Sequence, residues 1–156
     1  MTTLFRFLQF LALGTWVGSI FYFGAIVAPA AFTVLTPDQA GALVGVTLGR
    51  LHLLGIVAGA IYLTATAFLG RSPAALVRPA PLLVVATIVL TCVSQFWVIS
   101  TMDALRAQMG SVAATPGTNA LRASFDRLHT LSVRIEMAAL VSGLAALVLT
   151  SRKSAP

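Results

Sequence analysis

Four apolar runs dominate the chain: Leu4 to Ala31, Leu43 to Leu69, Leu82 to Ser100 and Leu128 to Thr150. A run of about 20 apolar residues crosses the hydrocarbon of a bilayer, and it does so as a helix because only a helix satisfies its own backbone hydrogen bonds there. The expected architecture is therefore all-α: an integral membrane four-helix bundle, with residues 1–156 forming one four-span domain and both termini on one side. Composition agrees, since 58% of the residues are hydrophobic and 9% charged, against about 25% charged in a soluble domain. That imbalance excludes a water-soluble globule, a disordered tail, a collagen and a disulfide scaffold. A single cysteine, Cys92, excludes an internal disulfide and any Cys-x-x-Cys site. Within the first run Arg6 precedes an apolar stretch, and Ala28-Pro29-Ala30 mimics a signal cleavage site. The run is nonetheless read as a span, because signal-peptide cores hold only about 7 to 15 apolar residues.

The links between runs carry helix punctuation. Thr36-Pro37-Asp38-Gln39 combines an N-cap, proline at the first helical position and a glutamine three residues after the cap, so helix two is expected to open before its apolar core. Gly70 can close it, and Pro81 opens helix three. Helix three is expected to continue through Asp103, Arg106 and Gln108 to Gly110, and helix four to start near Thr118 or Asn119. The formal net charge of +6 would suggest nucleic acid for a soluble protein; in a membrane chain such an excess sets orientation, and no nucleic-acid partner is expected. The terminal side carries Arg6, Arg71, Arg78, Arg152 and Lys153, and the other side Arg106, Arg122 and Arg127. This bias places both termini in the cytoplasm, for a multi-pass protein of the bacterial inner membrane whose first partner is the lipid bilayer.

Ionisable residues within spans are costly and mark functional candidates; here they are Arg50, His52, His129, Arg134 and Glu136. At ~1.5 Å of rise per residue from the inner ends, His52 lies ~25 Å up, His129 ~31 Å and Glu136 ~21 Å, in one outer layer. Tyr22 and Gln95 reach comparable heights, and Ser132 shares the polar face of helix four with His129 and Glu136. Arg50, Arg127 and Arg134 point away from these faces and are expected to anchor depth or pair between helices. Helix two stacks Gly41, Gly45, His52 and Gly59 on one line, with Gly49 and Gly55 to either side. Such small-residue faces, like Gly14-x-x-x-Gly18 on helix one, allow close helix packing within or between subunits, or leave a groove for a flat ligand.

Arg50-Leu51-His52-Leu53-Leu54 is echoed by Arg127-Leu128-His129-Thr130-Leu131. Two tandem helix pairs related by a pseudo-two-fold axis along the membrane normal would bring the two histidines face to face. Neutral imidazole binds haem iron and copper, so His52 and His129 are candidate ligands of a bis-histidine haem or a copper ion. Three other readings stand beside that one. They are a buried hydrogen-bond network joining His52 or His129 to Glu136, a proton relay or small-solute route, and an accessory subunit packing through its glycine faces as a homo-oligomer or in a membrane complex. No Ser-His-Asp arrangement, phosphate loop or acidic metal cluster is present, and catalytic residues are not assigned.

Two stretches together resemble a known family. Leu11 to Ser19, with Phe23, Val27-Ala28-Pro29-Ala30-Ala31-Phe32, Ala40-Gly41 and Leu51-His52, is similar to the first half of a bacterial family of four-helix membrane proteins. That family is classed as a domain of unknown function, and transmembrane protein 205 is its eukaryotic relative. Phe125-Asp126-Arg127-Leu128-His129-Thr130-Leu131-Ser132 resembles the family's Phe-x-x-Leu-His-x-x-Ser signature, with Glu136 standing where the family would have Asn. The resemblance implies an integral membrane protein without an established reaction. A looser similarity, through Trp16, Gly18 and Pro29, runs to copper-resistance membrane domains and to the haem-binding protoporphyrinogen oxidase family.

Overall fold

The protein is described by a computed structural model covering residues 1–152; Lys153, counted above for orientation, lies outside the described residues. Four long helices account for most of the described residues: α1 (Thr2–Val34), α2 (Pro37–Gly70), α3 (Pro79–Met109) and α4 (Ala120–Arg152). All four are long and apolar enough to cross a membrane, and no strand occurs among the described residues. The expected all-α, four-span bundle is what forms, though each helix outruns its apolar run. At about 1.5 Å per residue, the 34 residues of α2 span roughly 50 Å, well beyond a hydrocarbon core of about 30 Å.

The helices run up and down around a ring: α1 packs on α2, α2 on α3, α3 on α4, and α4 back on α1. Only Leu35 and Thr36, both extended, separate α1 from α2. Gln39 Oε1 accepts from the Thr36 backbone N–H at 3.3 Å and from its hydroxyl at 2.9 Å, closing the expected cap. At the other end of α2 the expectation needs correcting. Arg71, not Gly70, takes the left-handed conformation, with φ of 50°. Gly70 is needed for proximity instead, because a Cβ there would lie 2.2 Å from that of Ala75 in the short 3-10 turn Pro73–Val77.

Two stretches widen from α to π geometry, Phe23–Val27 in α1 and Ser94–Ile99 in α3. The first lies just before Pro29, whose ring carries no N–H and would crowd the Ala25 carbonyl in a regular helix. Gly110 (φ 71°) ends α3, and Asn119 Oδ1 caps α4 by accepting from Leu121 N–H at 2.8 Å. Between them the link is pinned to α2. Asp38 accepts from the Ser111 hydroxyl and from the backbone N–H groups of Val112 (3.0 Å) and Ala113 (3.2 Å). Arg122 in turn donates to the Val112 carbonyl and holds Asp126 at 3.0 Å.

The core centres on Leu13, Trp16, Ile20, Leu51, Ala58, Tyr62, Val84 and Ala139, and a second cluster around Val98, Met102, Phe125 and Ile135 fills the end nearer the Asp38 clamp. Trp16 lies flat against a helix face that has no side chains: a Cβ at Gly55 would sit 2.3 Å from its Nε1, and one at Gly59 2.9 Å from its Cζ3. Gly143 does the same for Val17, at 2.8 Å. Gly14 and Gly18 meet nothing within 4 Å and are exposed on the outside of α1. Gly55→Ala should therefore cost about 1 to 3 kcal/mol by overpacking and lower the melting temperature in detergent, whereas Gly14→Ala should leave it unchanged. Equal melting temperatures for the two variants would contradict this packing.

Candidate functional site

The polar centre of the bundle is assembled from three helices. His52 on α2 is 1% exposed and both its ring nitrogens are engaged: Nδ1 is 2.8 Å from Gln95 Oε1 on α3, and Nε2 is 2.6 Å from Glu136 Oε1 on α4. The α2–α4 pair lies across the diagonal of the ring, so this contact bridges the bundle axis. The Ser94 hydroxyl, fully buried, adds a 3.4 Å bond to the same Glu136 oxygen. Ser94 and Gln95 are adjacent, and residues one apart on a regular helix point about 100° apart. Both belong to the π stretch Ser94–Ile99, whose wider turn changes that spacing, and such π turns recur at functional sites.

The tautomer follows from the partners. A carboxamide oxygen can only accept, so Nδ1 carries a hydrogen and donates it to Gln95. Nε2 and the Glu136 carboxyl then share one proton. With the proton on nitrogen the pair is imidazolium and carboxylate, and with it on oxygen it is imidazole and carboxylic acid. Both forms are neutral overall, which suits a site enclosed by apolar helices. With nitrogen and oxygen 2.6 Å apart, the proton can pass between them by a short shift of the hydrogen alone.

Towards the Asp38 end, polar side chains of α3 occupy the glycine line of α2. The Arg106 guanidinium lies where Cβ atoms at Gly41 and Gly45 would be 3.5 and 3.8 Å away, and the Gln95 amide lies 3.6 Å from such an atom at Gly49. Arg106 also donates to Asp103 at 3.0 Å and sits over the Phe125 ring at 5.6 Å. On the other side of the centre, α3 presents the buried hydroxyls of Thr91 and Thr87, each bonded to its own helix at 2.9 and 2.8 Å.

The remaining candidates are placed differently. His129 is exposed and stacked on Phe125, with ring centroids 6.4 Å apart. It stands two turns, ~10 Å, beyond Glu136 towards the projecting end, so the echo of His52 does not bring the imidazoles together. A bis-histidine haem site needs a free nitrogen on each of two converging rings, and the geometry supplies neither condition. No group of three or more His, Cys, Asp and Glu residues that could hold a metal ion exists among the described residues. Tyr22 is 56% exposed on the outside of α1. Ser132 is buried one turn from Glu136, but the hydroxyl that reaches the carboxyl is that of Ser94. Arg50, Arg127 and Arg134 are exposed, as their helix faces require.

Fold and centre together define a multi-pass membrane four-helix bundle whose buried histidine is paired with a part-buried glutamate. A family model described as a domain of unknown function, DUF4149, matches residues 11–111, and the chain belongs to that family. The matched segment includes His52, Ser94 and Gln95 and stops before Glu136. No curated protein and no solved structure matches the chain.

Replacing Gln95 by Leu strands the Nδ1–H in an apolar interior, at a cost of about 1 to 3 kcal/mol. The expected readout is a lower melting temperature in detergent, with the helical circular dichroism signal retained. An unchanged melting temperature would show that Gln95 does not hold the ring.

Proposed function

We propose that this protein is a multi-pass protein of the inner membrane, with one four-span domain and both termini cytoplasmic, whose His52–Glu136 pair binds and passes a proton. The observation that carries the reading is the 2.6 Å approach of Nε2 to the Glu136 carboxyl, with Nδ1 committed to Gln95. Such an arrangement can hold its proton on either partner without exposing a net charge to hydrocarbon. Ionisable groups kept inside membrane helices mark proton and solute pathways more often than they serve packing alone. Polar groups also continue on both sides of the pair, Gln95 and Arg106 over the glycine line of α2, and Thr91 and Thr87 on the other side. Orientation rests on the described arginines, Arg6, Arg71, Arg78 and Arg152 at one end against Arg106, Arg122 and Arg127 at the other. Kinship with transmembrane protein 205 belongs to the same reading.

A second role is favoured by Gly14 and Gly18, which have no neighbour within 4 Å inside the subunit. They leave a flat strip on α1 that suits packing against another helix, as in a homo-oligomer or an accessory subunit.

The proton reading is tested in liposomes loaded with a pH-sensitive dye. The reconstituted protein should dissipate an imposed pH gradient at a rate reduced at least about tenfold by His52→Gln or Glu136→Gln, and unaffected by Arg134→Gln. Infrared spectra should contain a Glu136 carboxyl band that Glu136→Gln removes and His52→Gln shifts. A protein that leaks no faster than empty liposomes and has no such band would defeat the reading.

A further inference from the structure

At the end of the bundle opposite Asp38, a cavity of about 230 Å³ opens among the ends of all four helices and the α2–α3 link. Its lining includes Gln9, Tyr62, Thr66 and Thr150, with Arg6 and Arg78 beside them. The first four form two directed pairs of hydrogen bonds. Thr150 donates its hydroxyl hydrogen to the Ala146 carbonyl (2.7 Å), so the Tyr62 hydroxyl donates to Thr150 Oγ1 (2.8 Å). Likewise Thr66 donates to the Tyr62 carbonyl (2.8 Å) and receives Gln9 Nε2 (2.7 Å). Gln9 is only 8% exposed, yet among the described residues its second amide N–H has no partner.

Among the described residues the charges on this cavity are of one sign. Among the described residues the ion pairs are His52–Glu136, Arg106–Asp103 and Arg122–Asp126, so neither Arg6 nor Arg78 faces a carboxylate. Of the chain's four acidic residues, Asp38, Asp103 and Asp126 lie towards the other end and Glu136 is held by His52. Two unpaired guanidiniums and a buried amide N–H make a donor-rich site for an anion bearing several acceptor oxygens, the pattern that favours phosphate. The volume falls below the roughly 300 to 1,000 Å³ of drug-sized pockets and suits a single headgroup. Arg6 and Arg78 also stand near the starts of apolar runs, and juxtamembrane basic residues of this kind attract anionic lipid.

We propose that this cavity binds a phosphate group, supplied either by an anionic phospholipid or by free phosphate. The site is separate from the His52–Glu136 pair, and either proposal can fail alone. The test is calorimetric titration of the full-length protein in maltoside micelles with short-chain phosphatidylglycerol, the matched phosphatidylcholine and inorganic phosphate. Saturable binding of phosphatidylglycerol alone assigns a lipid, and equal binding of inorganic phosphate assigns the free anion. Either affinity should fall at least about tenfold in Arg6→Gln/Arg78→Gln, and about threefold in each single variant. It should change less than about twofold in Arg71→Gln/Arg152→Gln, which removes the same charge from the same end outside the cavity. No saturable binding of either anion, or equal losses in the two double variants, would overturn the proposal.

Discussion

A hydrogen bond across the diagonal of a four-helix ring can form only if both partners reach the axis, and the His52–Glu136 contact sets that condition on everything around it. The neighbouring helices approach through backbone and small side chains, whereas α2 and α4 are held at the distance of an imidazole plus a carboxyl. Removing one partner would strand the other, and the ring closes over His52 while leaving the Glu136 side chain 18% exposed. Tyr62 and Thr150 repeat the diagonal bridge nearer the termini, with hydroxyls in place of ionisable groups. Between the two bridges the core is apolar apart from the Thr87 and Thr91 hydroxyls, which bond to their own helix.

The glycines of α2 divide by height into two roles. Near the termini, Gly55 and Gly59 admit the face of Trp16 and draw α1 close; nearer the Asp38 clamp, Gly41, Gly45 and Gly49 leave room for Arg106 and Gln95 from α3. One helix face thereby gives a dry contact on one side and a polar strip on the other. The difference comes from the partner's residues, a buried indole in one case and a guanidinium and amide in the other.

This division explains what the sequence discloses and what it withholds. Helix number, the cap at Thr36 and the sharing of one layer by His52, Gln95 and Glu136 follow from run length, capping chemistry and a rise of ~1.5 Å per residue. The choice of His52 over His129 as partner of Glu136 depends on a few ångströms of height, which a five-residue echo obscures. Ser94 escapes notice because a regular helix would turn it away from Gln95's direction, and the π turn has no sequence signature as plain as a proline. The small-xxx-small spacing is the same at Gly14 and at Gly55, so only the position of Trp16 shows which pair is closed within the subunit. Gln9 and Thr66 meet across two helices, a pairing that periodicity along one helix cannot register.

The clamp at Asp38 imposes an order on biosynthesis. Its carboxylate is made early, in the first turn of α2, but the Ser111 hydroxyl that it binds lies 73 residues later in the chain. At about 5 to 20 residues per second of translation, the clamp stays open for roughly 4 to 15 s. During that interval α1 and α2 are held as a hairpin by a link of only two residues, Leu35 and Thr36. The loop that seats on Asp38 follows α3 in the chain, and Glu136 is synthesised later still, so the His52 centre gains its last member only after both sides of the clamp exist.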